Sequence, residues 1–135
     1  MKTASRTYWD SSTLVEALHD ETLRTQLERP GNLTRPHSFA EVFSTLTGGR
    51  LGIRYSPNEA AEMIASLAED LEMVDLSTEQ TLEALSSAHK KGVRGGQIHD
   101  YLHAVGAFHA GATILLTTNG KDFKGLINGL KIVAA

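Results

Sequence analysis

The chain has 135 residues, with 13 Lys and Arg against 16 Asp and Glu for a net charge of −3, six His and no Cys. The missing Cys excludes a disulfide scaffold, a thiol nucleophile, an iron–sulfur cluster and thiolate zinc sites, and a pI near 6.0 gives no overall cationic field of the kind that marks nucleic-acid binders. A chain this long buries roughly two thirds of its unfolded surface without a disulfide or structural metal, so we expect one domain spanning residues 1–135.

An apolar content of 41% argues against disorder. The most apolar stretch, Ala104 to Leu116, is interrupted by His109 and two Gly and is too short to span a bilayer. Met1 to Asp10 lacks an apolar signal region. The expectation is a soluble, cytoplasmic protein.

Arg6-Thr7-Tyr8-Trp9 reads as a short strand ending at Asp10-Ser11-Ser12. A helix follows with Leu14, Val15 and Leu18 on one face and Thr13 and Glu16 spaced as a capping box, continuing through Leu23 and Leu27. Arg29-Pro30-Gly31-Asn32 and Arg35-Pro36 read as turns. Ser38 as N-cap with Glu41 three residues on, and the stripe Phe39, Val42, Phe43, Leu46, predicts a second helix that Gly48-Gly49 ends. Ser56-Pro57 with Glu59 opens a third, whose inner face is Ala60, Ile64, Leu67 and Leu71.

Met73 to Leu76 is a strand candidate, followed by Ser77 as N-cap of a helix carrying Leu82 and Leu85. Gln97 to Ala110 reads as a helix with an apolar row (Ile98, Leu102, Val105) and a row of small residues (Ala104, Ala107, Gly111) suited to packing on a sheet. Ala112 to Thr117 and Leu130 to Val133 read as strands. Strands separated by helices imply a parallel sheet with right-handed crossovers. The predicted fold is an α/β three-layer α/β/α sandwich with a central parallel sheet of four to five strands.

Ligands of such sheets bind outside the carboxyl ends of the strands. Asp10 ends the first strand, and Asp122 lies in the loop after Ala112–Thr117; Glu41 and Asp100 occupy the first turns of their helices. Each has a structural explanation as well: Asp10 as a cap, Glu41 as the third residue of a capping box, Asp100 as a partner of the helix dipole, Asp122 as an ordinary turn residue. If the four converge, carboxylates roughly 5 Å apart repel by about 3 kcal/mol per pair, against a domain stability of roughly 5–15 kcal/mol. They then need protons or a cation, and an oxygen-only site favours Mg2+ or Mn2+. Such an ion can activate a water and neutralise charge at phosphorus, so the implied reaction is metal-assisted phosphodiester hydrolysis.

His99 and His103 have the i, i+4 spacing of a helical zinc pair, with Asp100 where the familiar motif has Glu, but no third ligand follows them. His109, near a helix C-terminus, reads as structural. Lys90, Lys91 and Arg94 form one basic cluster among glycines and Lys121 with Lys124 another, which by themselves are equally a solvated surface. Tyr8 and Trp9 read as core.

Four fragments in this order, Tyr8-Trp9-Asp10-Ser11-Ser12, Ser38-Phe39-Ala40-Glu41-Val42, Ile98-His99-Asp100 and Thr117-Thr118-Asn119-Gly120-Lys121-Asp122-Phe123, span nearly the whole chain. Together they resemble the PIN-domain ribonucleases, and most closely the VapC-type toxins of type II toxin–antitoxin pairs. The resemblance implies an endoribonuclease using Mg2+ or Mn2+, with Asp10 and Asp100 as principal ligands and Glu41 and Asp122 completing the site directly or through water. It implies supporting roles for Ser12 and Asn119, a homodimer, and a small antitoxin whose tail occupies the active-site groove. Many relatives carry a further Asp where this chain has Asn119, a departure that weakens the case for a second tightly held metal. On this reading Lys90, Lys91, Arg94, Lys121 and Lys124 hold RNA phosphates, and the substrate is a structured RNA cut in a single-stranded loop. Two other readings compete: a phosphoacceptor, receiver-like signalling module, which wants adjacent acids where this chain has Asp10-Ser11-Ser12, and a PIN-like fold used only for protein binding.

Overall fold

Five short strands organise the computed structural model, which describes residues 5–49 and 52–135; residues 1–4 of the segment read for a signal region lie outside the described residues. In chain order the elements are β1 (Thr7–Trp9), α1 (Ser11–Ala17), α2 (Glu21–Leu27), β2 (Asn32–Thr34), α3 (Pro36–Thr47), α4 (Pro57–Ala68), β3 (Glu72–Met73) and α5 (Thr78–Ser87). A 3-10 turn (Ala88–Lys91), α6 (Gln97–His109), β4 (Ile114–Thr117), α7 (Gly120–Phe123) and β5 (Lys131–Ala134) complete them. The sheet order is β3-β2-β1-β4-β5, and every neighbouring pair is parallel. This is the predicted α/β/α sandwich.

Side chains of a strand alternate between faces, and β1 uses that alternation to join both layers. Trp9, paired in register with Leu116, packs with Leu14, Leu27, Val42, Leu46 and Leu67 from α1 to α4. Tyr8, paired with Leu33 and Leu115, faces Ala104 and Ala107 of α6 and Phe123 of α7. The small-residue row predicted for α6 is thus what lets that helix lie close on the sheet. Among the described residues no helix is long and apolar enough to cross a membrane.

Several boundaries differ from the sequence reading. Asn32 begins β2 rather than ending a turn: its side-chain oxygen accepts from the buried Trp9 Nε1–H at 2.8 Å, while its amide nitrogen lies 2.7–3.1 Å from the carbonyls of Gln26, Leu27 and Arg29. A three-residue strand flanked by Pro-containing segments offers no periodicity to read. The first helix starts at Ser11, capped by Asp10 and not by Thr13, and it ends before Asp20, which caps the separate α2. The second predicted helix starts three residues earlier than expected, with Arg35 as N-cap and Pro36 in its first turn. Ser38 is instead buried, accepting from the Thr34 hydroxyl at 2.7 Å, so Glu41 is released from capping-box duty. The strand expected at Met73–Leu76 is confined to Glu72–Met73. Ser56 and Ser77 cap α4 and α5 as predicted, the latter in a capping box with Gln80.

From β1 the chain moves outward to β2 and β3, then returns past β1 to β4 and β5 on the other side. The crossovers therefore diverge between the carboxyl ends of β1 and β4, the place where open parallel sheets bind ligands. Asp10 and Thr117 stand at that point.

Candidate active site

Asp10 is 4% exposed, and both its carboxylate oxygens are occupied. Oδ1 accepts from the Ser12 hydroxyl at 2.7 Å, the Thr13 hydroxyl at 2.9 Å and the Thr13 amide at 3.0 Å; Oδ2 accepts from the Thr117 hydroxyl at 2.6 Å. The capping role weighed from sequence is real and does not exclude a second one, because the same bonds fix the carboxylate in space. Thr117 Oγ1 in turn accepts from the Asn119 amide at 2.9 Å, and Ser12 Oγ from the Thr118 amide at 3.2 Å, which ties the loop after β4 to the loop after β1. Ser12 enters this junction through its hydroxyl and Asn119 through its backbone amide. Thr13 and Thr117 were not anticipated.

Glu41, on α3, is half-buried beside three histidines. Its Oε1 lies 2.5 Å from Nε2 of His103 on α6, and the Nδ1 of that ring lies 2.7 Å from the Tyr8 hydroxyl. Burial pushes the Glu41 carboxyl up, but the hydrogen bond from His103 and the charges of His103, His37 and His99 together bring it below its usual value. His37 and His99 are exposed and stacked, with ring centroids 5.3 Å apart. His103 is 1% exposed, and both its nitrogens are engaged within the protein, so it has no lone pair to offer a zinc ion as half of a helical pair. Tyr8, read from sequence as core, is core and also a polar partner of this ring. The signal that could have found His103 is its position three residues after Asp100, on the same helical face, just as His37 precedes Glu41 by four.

Asp100, in the first turn of α6, has no protein donor within hydrogen-bond reach among the described residues. Its carboxyl is raised above the usual range, first by burial and then by the negative charge of Asp122, with Asp10 and Glu41 adding to the effect and His103 opposing it. Asp122, Asp10 and Glu41 thus each bear on Asp100, near the carboxyl edge of β1 and β4. They are not drawn into a ready-made cage: among the described residues no three His, Asp or Glu are grouped closely enough for one. Oxygen donors that repel at a distance, with several oxygens already held by the protein, suit a hard divalent ion that retains waters. The donor set fits Mg2+ or Mn2+ on that ground.

Asp122 is exposed on α7, flanked by the exposed Lys121 and by Lys124 at the helix end. A hollow of about 500 Å³ lined by Thr118 to Asp122, and another of about 300 Å³ lined by Ser11, Ser12, Thr45, Thr118 and Asn119, lie along this edge. Lys90 and Lys91 end the 3-10 turn, and Arg94 follows in the loop leading to α6; all are exposed and none is in an ion pair among the described residues.

No protein-family model matches the sequence, and no curated protein matches it. Solved structures do match. A chain of VapBC2 from Rickettsia felis bound to a DNA fragment from their promoter is 22% identical with a TM-score of 0.71, over 96% of this chain and 98% of that one. A chain of DNA-bound VapBC from Salmonella typhimurium is 17% identical with a TM-score of 0.72, over 97% and 98%. One of VapBC-1 from nontypeable Haemophilus influenzae is 18% identical with a TM-score of 0.67, over 95% and 96%. The fold is the VapC/PIN-like α/β/α sandwich, shared from end to end with these chains.

Proposed function

We propose that the chain is a VapC-type PIN-domain ribonuclease: a cytoplasmic Mg2+- or Mn2+-dependent endoribonuclease that hydrolyses RNA phosphodiester bonds as the toxin of a toxin–antitoxin pair. The observation that carries this reading is the negative charge of Asp122, Asp10 and Glu41 bearing on the half-buried Asp100 at the strand edge where such sheets bind ligands. A nuclease working on a polyanion gains from acids only if a cation converts them into a phosphate site, and this donor set suits one.

Asp10 and Asp100 are the principal ligands in this reading, with Glu41 and Asp122 completing the site directly or through water. The bound cation would polarise a phosphoryl oxygen and lower the pKa of an attacking water. What the chain itself contributes is placement. Four hydrogen bonds fix Asp10, His103 holds one oxygen of Glu41, and Asn119, neutral where many relatives carry Asp, favours one tightly held ion. Lys121 and Lys124 flank Asp122, and with Lys90, Lys91 and Arg94 they supply phosphate contacts without adding sequence readout. A structured RNA cut in an unpaired loop fits, because loops expose bases and backbone to a shallow edge. End-to-end likeness to chains of VapBC structures supports a small antitoxin as partner, and the same reading includes a homodimer.

The test is cleavage of total RNA with Mn2+, with EDTA, and by Asp10→Asn and Asp100→Asn. Loss of cleavage in all three last conditions is expected; undiminished cleavage by both variants would remove the mechanism.

A further inference from the structure

His103 is a buried imidazole with no idle nitrogen, and its two partners come from different elements. Tyr8 belongs to β1, which delivers Asp10; Glu41 belongs to α3; His103 itself lies one turn beyond Asp100 on α6. The three-membered chain from Tyr8 Oη to His103 Nδ1 at 2.7 Å and from His103 Nε2 to Glu41 Oε1 at 2.5 Å therefore spans the elements that carry three of the four acids.

Its direction follows from donor chemistry. A phenol is protonated at neutral pH, so Tyr8 can donate to Nδ1 of the neutral ring, whose proton then sits on Nε2; the protonated ring donates from both nitrogens, and in either form Nε2–H is aimed at a carboxylate that only accepts. Tyr8 is fully buried, and its hydroxyl lies 2.7 Å from Nδ1 of the ring. Gly106, one turn beyond His103, leaves room for the side chain of the buried Arg35, the residue before α3: a Cβ there would stand 2.5 Å from Arg35 Cδ.

We propose that Tyr8 and His103 are positioning residues that fix Glu41 through Oε1 and leave Oε2 free to serve a divalent ion at the acidic edge, directly or through water. This rests on the metal-dependent reading above. A residue that orients a ligand through its second atom changes metal affinity by about 10–100-fold when removed, whereas a merely structural core histidine changes stability and leaves the affinity of the folded protein alone.

The experiment is Mn2+ titration calorimetry on the full chain, with each variant first shown to be folded by its melting transition. His103→Ala is expected to weaken Mn2+ binding by about 10–100-fold, Tyr8→Phe by several-fold, and His103→Gln, whose amide can still donate to Glu41, is expected to recover most of the loss. In a Glu41→Gln background His103→Ala is expected to add nothing, since it acts through that carboxylate. In the metal-free protein, 15N shifts should report a single Nε2–H tautomer for His103 and a mixture in Tyr8→Phe. Wild type that binds Mn2+ while His103→Ala and Tyr8→Phe bind within two-fold of it overturns this inference and leaves the proposed function standing. Wild type that binds no Mn2+ overturns both. Where His103→Ala does not fold, Tyr8→Phe and the tautomer decide the matter.

Discussion

Asp10 and Asp100 occupy the same edge of the sheet in opposite surroundings. Around Asp10 every donor is in place: two hydroxyls and an amide from α1 and a hydroxyl from the end of β4 hold a carboxylate that is 4% exposed. Around Asp100 no protein donor is in place among the described residues, and beyond burial the charges of Asp122, Asp10 and Glu41 disfavour its ionised form, with His103 opposing them. One acid is an anchor that the fold needs. The other is a group the fold tolerates, and its penalty is the kind that a cation relieves. A site built from both kinds combines rigid placement with unsatisfied charge, which is what binding a hard ion tightly enough, yet leaving room for its waters, requires.

Perturbing each acid separately should expose the difference. The largest effect is shared: Asp10→Asn and Asp100→Asn should each lower metal-dependent RNA cleavage by about 10²–10³-fold, the scale for removing one oriented electrostatic group from a reacting centre. Stability should then separate them. Mn2+ at about 100 times its dissociation constant should stabilise the wild type by about 2.7 kcal/mol in a thermal melt and fail to do so in either variant. Without metal, Asp10→Asn should destabilise by about 1–3 kcal/mol, because charge-assisted bonds become neutral ones around a buried group. Thr117→Val, which removes the donor to Oδ2 and the acceptor for the Asn119 amide, should cost about 1–2 kcal/mol by the same measurement.

The smallest effect carries the opposite sign. The raised carboxyl of Asp100 means that the folded state penalises its charge; the penalty is present above the folded-state pKa and disappears once a proton binds. Asp100→Asn should therefore melt higher than wild type at neutral pH without metal, by about 0.5–1 kcal/mol, the scale of partly screened charge pairs. Equal downward shifts for the two variants would erase the contrast between anchor and unsatisfied acid.

Much of this was legible in the chain, for identifiable reasons. Asp10 and Asp122 stand out because each follows a run of strand-forming residues, and position after a parallel strand is itself the signal. Asp100 is visible as an acid in a first helical turn; Glu41 reads the same way from sequence, but α3 begins at Pro36, which puts Glu41 in its second turn, and burial of Ser38 dissolves the capping box. What local pattern could not supply is the set of partners. Thr117 is 107 residues from Asp10, His103 is 95 from Tyr8 and 62 from Glu41, and no periodicity links positions so far apart. β2 escaped for a different reason: three residues are too few to alternate, and its place in the sheet is set by Asn32 gathering the end of α2 and the ring of Trp9. The α6 packing face was readable because small residues at helical spacing have one main use against a sheet.

The most direct test of a single cation site at the β1–β4 edge is anomalous diffraction from crystals soaked in Mn2+. The account predicts one strong peak bounded by the carboxylates of Asp10 and Asp100, with Glu41 and Asp122 at its margin. Crystals that hold Mn2+ elsewhere and show no peak between Asp10 and Asp100 would contradict it.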